Sequence, residues 1–384
     1  MSELTMANKP QVLVLDGGLG TTLEDVFHKD ISHALWSAKP IDEDPEVIIA
    51  AHLAFLRARA NIILTSTYQC AYTTFERAGY TRQDAERIML KAVELATEAR
   101  RRFLDEARQE NHRSESSATS PPLPDVKIAL SLGPFGATLY PAQEFDGIYP
   151  PPYGPNLSST QTKTNAFEDT LEGQAQEQAA MDALTEFHYE RLCIFAENRE
   201  AWDAIDFVAF ETVPLRREVY AIRRAMAHAR RLQMKPWWIS NDYPDGHFPE
   251  AKREGEHLTA ADVAKAVLHE DVGAAVWGMG INCTGLKFLP ELLKEARKAA
   301  KGYLGRYGRR PWLVLYPNRG DVYIPETQSW RKMGKEGSQW AKELCMVVQE
   351  GMRSGDWEGC IAGGCCKTGP EEIAGLVKEL HTWL

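Results

Sequence analysis

Residues 274–283 read Ala-Ala-Val-Trp-Gly-Met-Gly-Ile-Asn-Cys, an apolar run over 274–281 that ends on a polar pair. A helical pattern follows over 291–303, then a second apolar run, Trp-Leu-Val-Leu-Tyr, over 312–316. A second helical pattern covers 337–351, a third short run 360–363, and a last helix 370–384. Short uncharged runs that each lead through a polar turn into an amphipathic helix are how strands buried on both faces of a parallel sheet read.

Toward the N-terminus the same unit repeats. Strand-like runs occupy 12–16, 62–67, 127–132, 207–211 and 237–240, and helix-like segments occupy 46–59, 82–110, 181–198, 215–232 and 260–269. Eight strands alternating with helices place the chain in the α/β class and point to a (β/α)8 TIM barrel, with a doubly wound open sheet as the competitor, because alternation alone does not prove closure. Two stretches break the rhythm: 111–125, rich in Ser and Pro, and 146–178, a Pro-Pro-Pro turn followed by a polar run. Both read as loop insertions on one domain spanning 1–384, the second on the face where barrel enzymes work.

The 384 residues are 44% apolar and 26% charged, the make-up of a globular protein with a large core. A net charge of −10 argues against a nucleic-acid surface, and Arg306, Arg309 and Arg310 read as a solvated helix end and loop. The opening Met-Ser-Glu-Leu-Thr-Met-Ala-Asn-Lys-Pro has no signal-peptide core and no run is long enough for a membrane span, so a cytoplasmic protein with no membrane partner is expected. Seven cysteines in a reducing compartment are read as thiols or metal ligands; Cys70, Cys193, Cys345 and Cys360 lie among apolar neighbours and are expected in the core.

The other three carry the chemistry. Cys283 ends strand six, and Cys365 and Cys366 follow strand eight, 82 positions from Cys283 to Cys365. A closed parallel barrel brings the C-terminal ends of its strands to one rim, which would unite them. Adjacent strand residues point to opposite faces, so both Cys365 and Cys366 reach one point only if the backbone turns, for which Gly363 and Gly364 give freedom. Three thiolates suit Zn2+ with one open position; buried thiols are the plainer alternative. Other strand ends add Asp16-Gly17-Gly18, Thr65 and Thr67, and Glu211-Thr212-Val213-Pro214. Asp16 and Glu211 suit a substrate ammonium, and threonine hydroxyls a carboxylate, although Asp16 as a cap and Glu211 as an ion-pair partner are the plainer readings.

These residues resemble a known family. Leu15-Asp16-Gly17-Gly18-Leu19-Gly20-Thr21, Thr65-Ser66-Thr67-Tyr68-Gln69, Ser131-Leu132-Gly133-Pro134-Phe135-Gly136-Ala137, Phe210-Glu211-Thr212-Val213-Pro214, Gly280-Ile281-Asn282-Cys283, Tyr316-Pro317-Asn318-Arg319-Gly320 and Gly363-Gly364-Cys365-Cys366 are similar to the landmarks of the homocysteine S-methyltransferases that use S-methylmethionine or S-adenosylmethionine. That family is related to betaine-homocysteine methyltransferase and to the homocysteine module of cobalamin-dependent methionine synthase. The resemblance runs nearly end to end and implies a (β/α)8 barrel, zinc on Cys283, Cys365 and Cys366, and L-homocysteine sulfur at the open position. It implies that Asp16 and Glu211 grip the substrate amine, that Thr65 meets its carboxylate, and that Asn282 and Gly17 line the pocket. The implied reaction is attack of the homocysteine thiolate on the methyl of a sulfonium donor, giving L-methionine.

Arg319, where many relatives carry a small residue, and the two insertions depart from the family pattern and bear on donor choice. With no cobalamin-binding extension beyond Leu384, direct transfer from a sulfonium is favoured; betaine as donor and selenocysteine as acceptor stay as alternatives. Tyr68 and Phe135 are expected to shape the donor pocket. Outside this class, a Rossmann-type methyltransferase is weak, because Gly18-Leu19-Gly20 lacks the third glycine at the right spacing and no acidic residue closes strand two. A zinc hydrolase would bring His-x-His or His-Glu-x-x-His, which the ten histidines do not form. A structural or redox-responsive zinc-thiolate binding protein is the remaining reading, separated from an enzyme by metal content and methyl transfer.

Overall fold

The computed structural model describes residues 11–31, 35–113, 122–157, 163–229, 233–252, 255–269, 271–324, 329–331, 333, 334 and 336–383. The N-terminal decapeptide and the middles of both insertions lie outside these residues.

Eight strands form one parallel sheet: β1 Gln11–Val14, β2 Ile62–Leu64, β3 Lys127–Leu132, β4 Phe207–Phe210, β5 Trp237–Asn241, β6 Gly278–Gly285, β7 Trp312–Asn318 and β8 Gly359–Ala362. Neighbours pair in chain order from β2 to β8, and β8 returns to β1 with Gln11 opposite Gly359. Closure comes at the seam between β1 and β2. There Leu15 bridges Ile62, the Asp16 N–H donates to the Ile62 carbonyl at 3.0 Å, and the Asn61 N–H donates to the Val14 carbonyl at 2.7 Å. The barrel, and not the open sheet, is the fold.

A long helix follows each strand: Pro45–Arg57, Arg82–Arg113, Leu171–Ala196, Arg216–His228, Ala260–Leu268, Leu289–Tyr307, Gly337–Arg353 and Pro370–Trp383. The third starts ten residues before the sequence pattern suggests, capped by the Thr170 hydroxyl on the Gly173 N–H. Its first turns, Leu-Glu-Gly-Gln-Ala-Gln-Glu-Gln, have no apolar period to reveal them, but Glu, Gln and Ala are good helix formers. The insertion at 146–178 is therefore shorter than expected. The one at 111–125 begins as helix, since Asn111 to Arg113 extend the second helix.

Period-two pleating sends alternate strand residues to two different cores. Leu15, Ile62, Ala129, Phe207, Ala209, Trp238, Trp312, Val314, Tyr316 and Ile361 fill the lumen, whereas Leu313 and Leu315 of β7 and Trp237 and Ile239 of β5 face the helices. Cys70, Cys345 and Cys360 lie in that outer core, and Cys193 is half-buried. At the N-terminal end of the barrel, Trp312 stacks on Trp277 with ring centroids 4.7 Å apart, and a Cβ on Gly359 would sit 2.7 Å from the Trp312 ring. No helix among the described residues is long and apolar enough to cross a membrane.

Candidate active site

The strand that decides the fold also builds the site. β6 runs from Gly278 to Gly285, four residues further than the sequence suggests, so Cys283 lies within the strand, at a register shift between Asn282 and Gly285. Its φ is +47°, a left-handed backbone unfavourable for any residue with a Cβ. Polar contacts hold it there. Asn318 Nδ2 donates to the Cys283 carbonyl at 3.1 Å. Thr212, itself at φ +56°, donates its N–H to Asn282 Oδ1 at 2.9 Å and accepts from Asn282 Nδ2 at 2.7 Å.

After β8 the chain makes a tight turn. The Gly364 N–H donates to the Asp16 carbonyl and the Cys365 N–H to the Pro317 carbonyl, each at 3.0 Å, and the Thr368 hydroxyl closes on the Cys365 carbonyl at 2.5 Å. Gly363 and Gly364 matter here for space, not for conformational freedom: neither has positive φ. A Cβ would meet the Asp16 carbonyl oxygen at 2.6 Å from Gly363, and Thr368 Oγ1 at 2.1 Å from Gly364. The residue that takes the left-handed conformation is Lys367, φ +61°, whose ammonium is pinned by Glu24 and Asp25.

The three sulfurs meet as a result. Cys283 and Cys365 are in direct Sγ contact with Cα atoms 5.5 Å apart, Cys365 Sγ lies 3.9 Å from Cys366 Sγ, and all three fall within 4.8 Å of one another. The Cys283–Cys365 contact is that of a disulfide; reduced to thiolates and parted to the roughly 3.8 Å that separates sulfurs about 2.3 Å from one tetrahedral ion, the three would fit zinc. Burial pushes the Cys366 thiol up to about 11, with Glu144 adding to the effect. A dication reverses that logic by favouring the thiolate.

The carboxylates lie on the same rim. Asp16, fully buried, accepts the Leu64 N–H at 2.9 Å through Oδ2, while Oδ1 has no partner among the described residues. Burial, then the nearby Glu211, hold its pKa well above the usual range. Glu211 accepts from the Ser131 hydroxyl and meets the Tyr316 phenol, and burial raises it to about 7. Two buried acids close enough to repel, one with a free oxygen, favour a cation between them.

The other expected residues fall into place differently. Thr65 accepts the Ser131 N–H at 3.0 Å and its hydroxyl is 2.7 Å from that of Thr67, which donates to the Ser131 carbonyl; the Thr65 hydroxyl proton is thereby committed to Thr67. The Asn282 amide is engaged at both ends by Thr212. A Cβ on Gly17 would come within 2.2 Å of the Thr368 carbonyl oxygen, so Gly17 lets the first and last strand loops touch. Phe135 is buried under Tyr153, stacked at 3.7 Å, and Tyr149, whereas Tyr68 is half-buried and its phenol meets the Thr212 hydroxyl. Arg319 pairs with Asp321 and, at 3.2 Å, with Glu372, while its N–H holds the Cys366 carbonyl at 3.2 Å. It braces the cysteine turn.

Sequence reasoning missed Ser131 and Tyr316, the partners of Glu211, and the buried acids Glu144 and Asp242. The first two lie in motifs already recognised, on β3 and β7. Asp242 directly follows β5, and the same rule that collected Asp16 and Glu211 at strand ends would have found it.

The comparisons agree with this geometry. A family model described as homocysteine S-methyltransferase matches residues 13–380. Homocysteine S-methyltransferase 2 of Zea mays is 30% identical over 96% of this chain and 90% of its own length. The homocysteine methyltransferase MmuM of Escherichia coli superposes in its oxidized form with a TM-score of 0.63 and in its metallated form with 0.58, at 26% identity and with 96% of each chain covered in both cases. From residue 13 to residue 380, with the sulfurs and carboxylates gathered on one rim, the chain belongs to the homocysteine S-methyltransferase family.

Proposed function

We propose that this enzyme transfers a methyl group from a sulfonium donor, S-methylmethionine or S-adenosylmethionine, to the sulfur of L-homocysteine, using zinc held by Cys283, Cys365 and Cys366. The observation that carries the reading is the convergence of three sulfurs within 4.8 Å on the rim that also holds Asp16 and Glu211. When bound, zinc supplies acidity: it lowers the pKa of a coordinated thiol, which otherwise is near 8.5 and only a few per cent ionised at neutral pH.

The chain's own groups do the positioning. Asp16 and Glu211 take the homocysteine ammonium, and the charge that burial discourages on both becomes favourable once the cation arrives. Ser131 and Tyr316 orient Glu211, and Thr212, with its hydroxyl 3.9 Å from Cys283 Sγ, steadies that sulfur. Gly17, Thr65 and Asn282 complete the pocket, with Thr65 on the side of the substrate carboxylate. In the transfer, a new bond forms between the acceptor sulfur and the methyl carbon as the donor's sulfur–methyl bond breaks. The bonding pair stays on the donor sulfur, so a thiolate and a sulfonium become two neutral thioethers and no proton is delivered. Alignment of the two substrates is worth on the order of 7–11 kcal/mol over a bimolecular encounter.

Purified chain assayed with homocysteine against S-methylmethionine, S-adenosylmethionine and betaine, alongside metal analysis, tests this. The expected result is about one zinc per chain and methionine formed from a sulfonium. Turnover with betaine alone, or full turnover after complete zinc removal, rejects it.

A further inference from the structure

Asp242 follows β5 directly and is 0% exposed, yet neither carboxylate oxygen has a hydrogen-bond partner among the described residues. Its two neighbours fix its place on the rim: Asn241 Nδ2 donates to the Val213 carbonyl at 2.7 Å, and the Tyr243 N–H donates to Thr284 Oγ1 at 2.9 Å. Asp242 therefore stands between the loop of Glu211 and Thr212 and the end of β6 that carries Cys283. Glu144, from the loop after β3, is 8% exposed and its Oε2 is likewise without a partner.

The charged groups that act on Asp242 most strongly are Glu144, Glu218 and Asp146, all acids. Glu218 is satisfied by the Phe135 N–H at 2.7 Å, the Tyr149 hydroxyl at 2.7 Å and His188 at 2.9 Å. Asp146 accepts the Ile148 N–H at 3.0 Å and lies near Lys163. Asp242 and Glu144 are left over. Tyr68 links these acids to the sulfur site: its phenol meets the Thr212 hydroxyl, which is 3.9 Å from Cys283 Sγ, and Glu144, Glu211 and Asp242 all act on it. Burial raises both acids, Glu144 to about 7 and Asp242 well above its usual range. Removing a carboxyl from water with no donor to meet it is costly unless a ligand supplies the donor.

Building on the sulfonium-donor reading above, we propose that Asp242 and Glu144 form the subsite for the α-ammonium group of the methyl donor, beside Tyr68. The donor's other positive charge, on sulfur, is the wrong target. That charge vanishes during transfer, so a carboxylate against it would hold the ground state more tightly than the transition state. The ammonium charge is unchanged throughout, so a carboxylate there contributes uniform binding and is read in KM rather than kcat. The homocysteine ammonium already has Asp16 and Glu211. A fully buried, donor-free carboxylate on the same rim thus marks a second amino-acid headgroup.

The test compares S-methylmethionine with its deamino analogue, 4-(dimethylsulfonio)butanoate, on the zinc-loaded chain with homocysteine saturating. Asp242→Asn is expected to raise KM for S-methylmethionine about 10- to 100-fold with a much smaller change in kcat, and to narrow the preference over the analogue by the same factor. Glu144→Gln is expected to narrow it in the same direction by less, and decides the matter if Asp242→Asn proves unfolded in a thermal melt. Equal losses with both donors, or an unchanged preference, overturn the subsite while leaving the donor class standing. A wild-type chain that methylates homocysteine from neither sulfonium overturns the underlying reading instead.

Discussion

The two ends of the barrel are made from the same eight strands and differ in what their buried groups lack. At the N-terminal end Phe207, Trp238, Trp277 and Trp312 pack as stacked and tilted rings. At the C-terminal end, buried residues include Asp16, Asp242 and Glu144 with oxygens that have no partner among the described residues, and Thr212 and Lys367, with the half-buried Cys283, take left-handed backbone. One end gains stability from its packed rings; the other holds buried polar groups whose missing partners a ligand would supply, and left-handed backbone fixed by polar contacts. The division predicts that substitutions at the two ends change different observables.

The largest effect is expected from the sulfurs. Cys283→Ala, Cys365→Ala and Cys366→Ala should each lose bound zinc and at least about 1,000-fold in kcat/KM, roughly 4 kcal/mol of transition-state stabilisation. Far-UV circular dichroism should still report the barrel, because none of the three is in the apolar cores. Retention of zinc and turnover by any one of them would remove it from the ligand set. Trp312→Ala should do the reverse. Losing a stacked ring from the barrel floor costs about 3–5 kcal/mol of stability, measured by urea titration, while KM for both substrates stays near the wild-type value. A change in KM without a loss of stability would mean that the ends are not independent.

How legible each end was in the sequence follows the same divide. Apolar runs announce strands whichever core they face, so all eight appear in the primary structure, and their order requires only closure to become a barrel. Closure itself rests on a seam around Leu15 and Ile62 where backbone hydrogen bonds are joined by Asn61 Oδ1 on the Val14 N–H and Asp16 Oδ2 on the Leu64 N–H, pairings that no apolar pattern encodes. The cysteines and strand-end acids were visible because their residue types are rare at such positions. What makes them a site was not: the register shift at Cys283, the crowding that demands Gly363 and Gly364, and the use of Asn282 as a brace for Thr212 depend on contacts between segments far apart in the sequence. Polar residues whose partners arrive from other strands, such as Ser131 on Glu211, carry no local signal at all.

Glu211→Gln sharpens the comparison at the smallest scale, because it should improve one property of the upper end as it damages another. The amide cannot balance an ammonium, so KM for homocysteine should rise about 10- to 100-fold with zinc retained; unchanged affinity would exclude Glu211 from the ammonium site. Stability should move the other way, and only at high pH. Glu211 titrates near 7 in the folded protein against 4.5 when unperturbed, so its folded pKa is raised. Below 4.5 both states are protonated and the group contributes no penalty. As pH rises to 7 the unfolded chain ionises first, and native stability falls by about 1.4 kcal/mol per pH unit, on the order of 3 kcal/mol in all, then levels off. The glutamine does not titrate. The ligand-free variant should therefore match the wild type near pH 4 and be more stable by up to that amount near pH 8. Parallel stability curves across that interval would mean that Glu211 is already charged and satisfied without substrate, and that the upper end is less dependent on its ligands than its unpartnered groups imply.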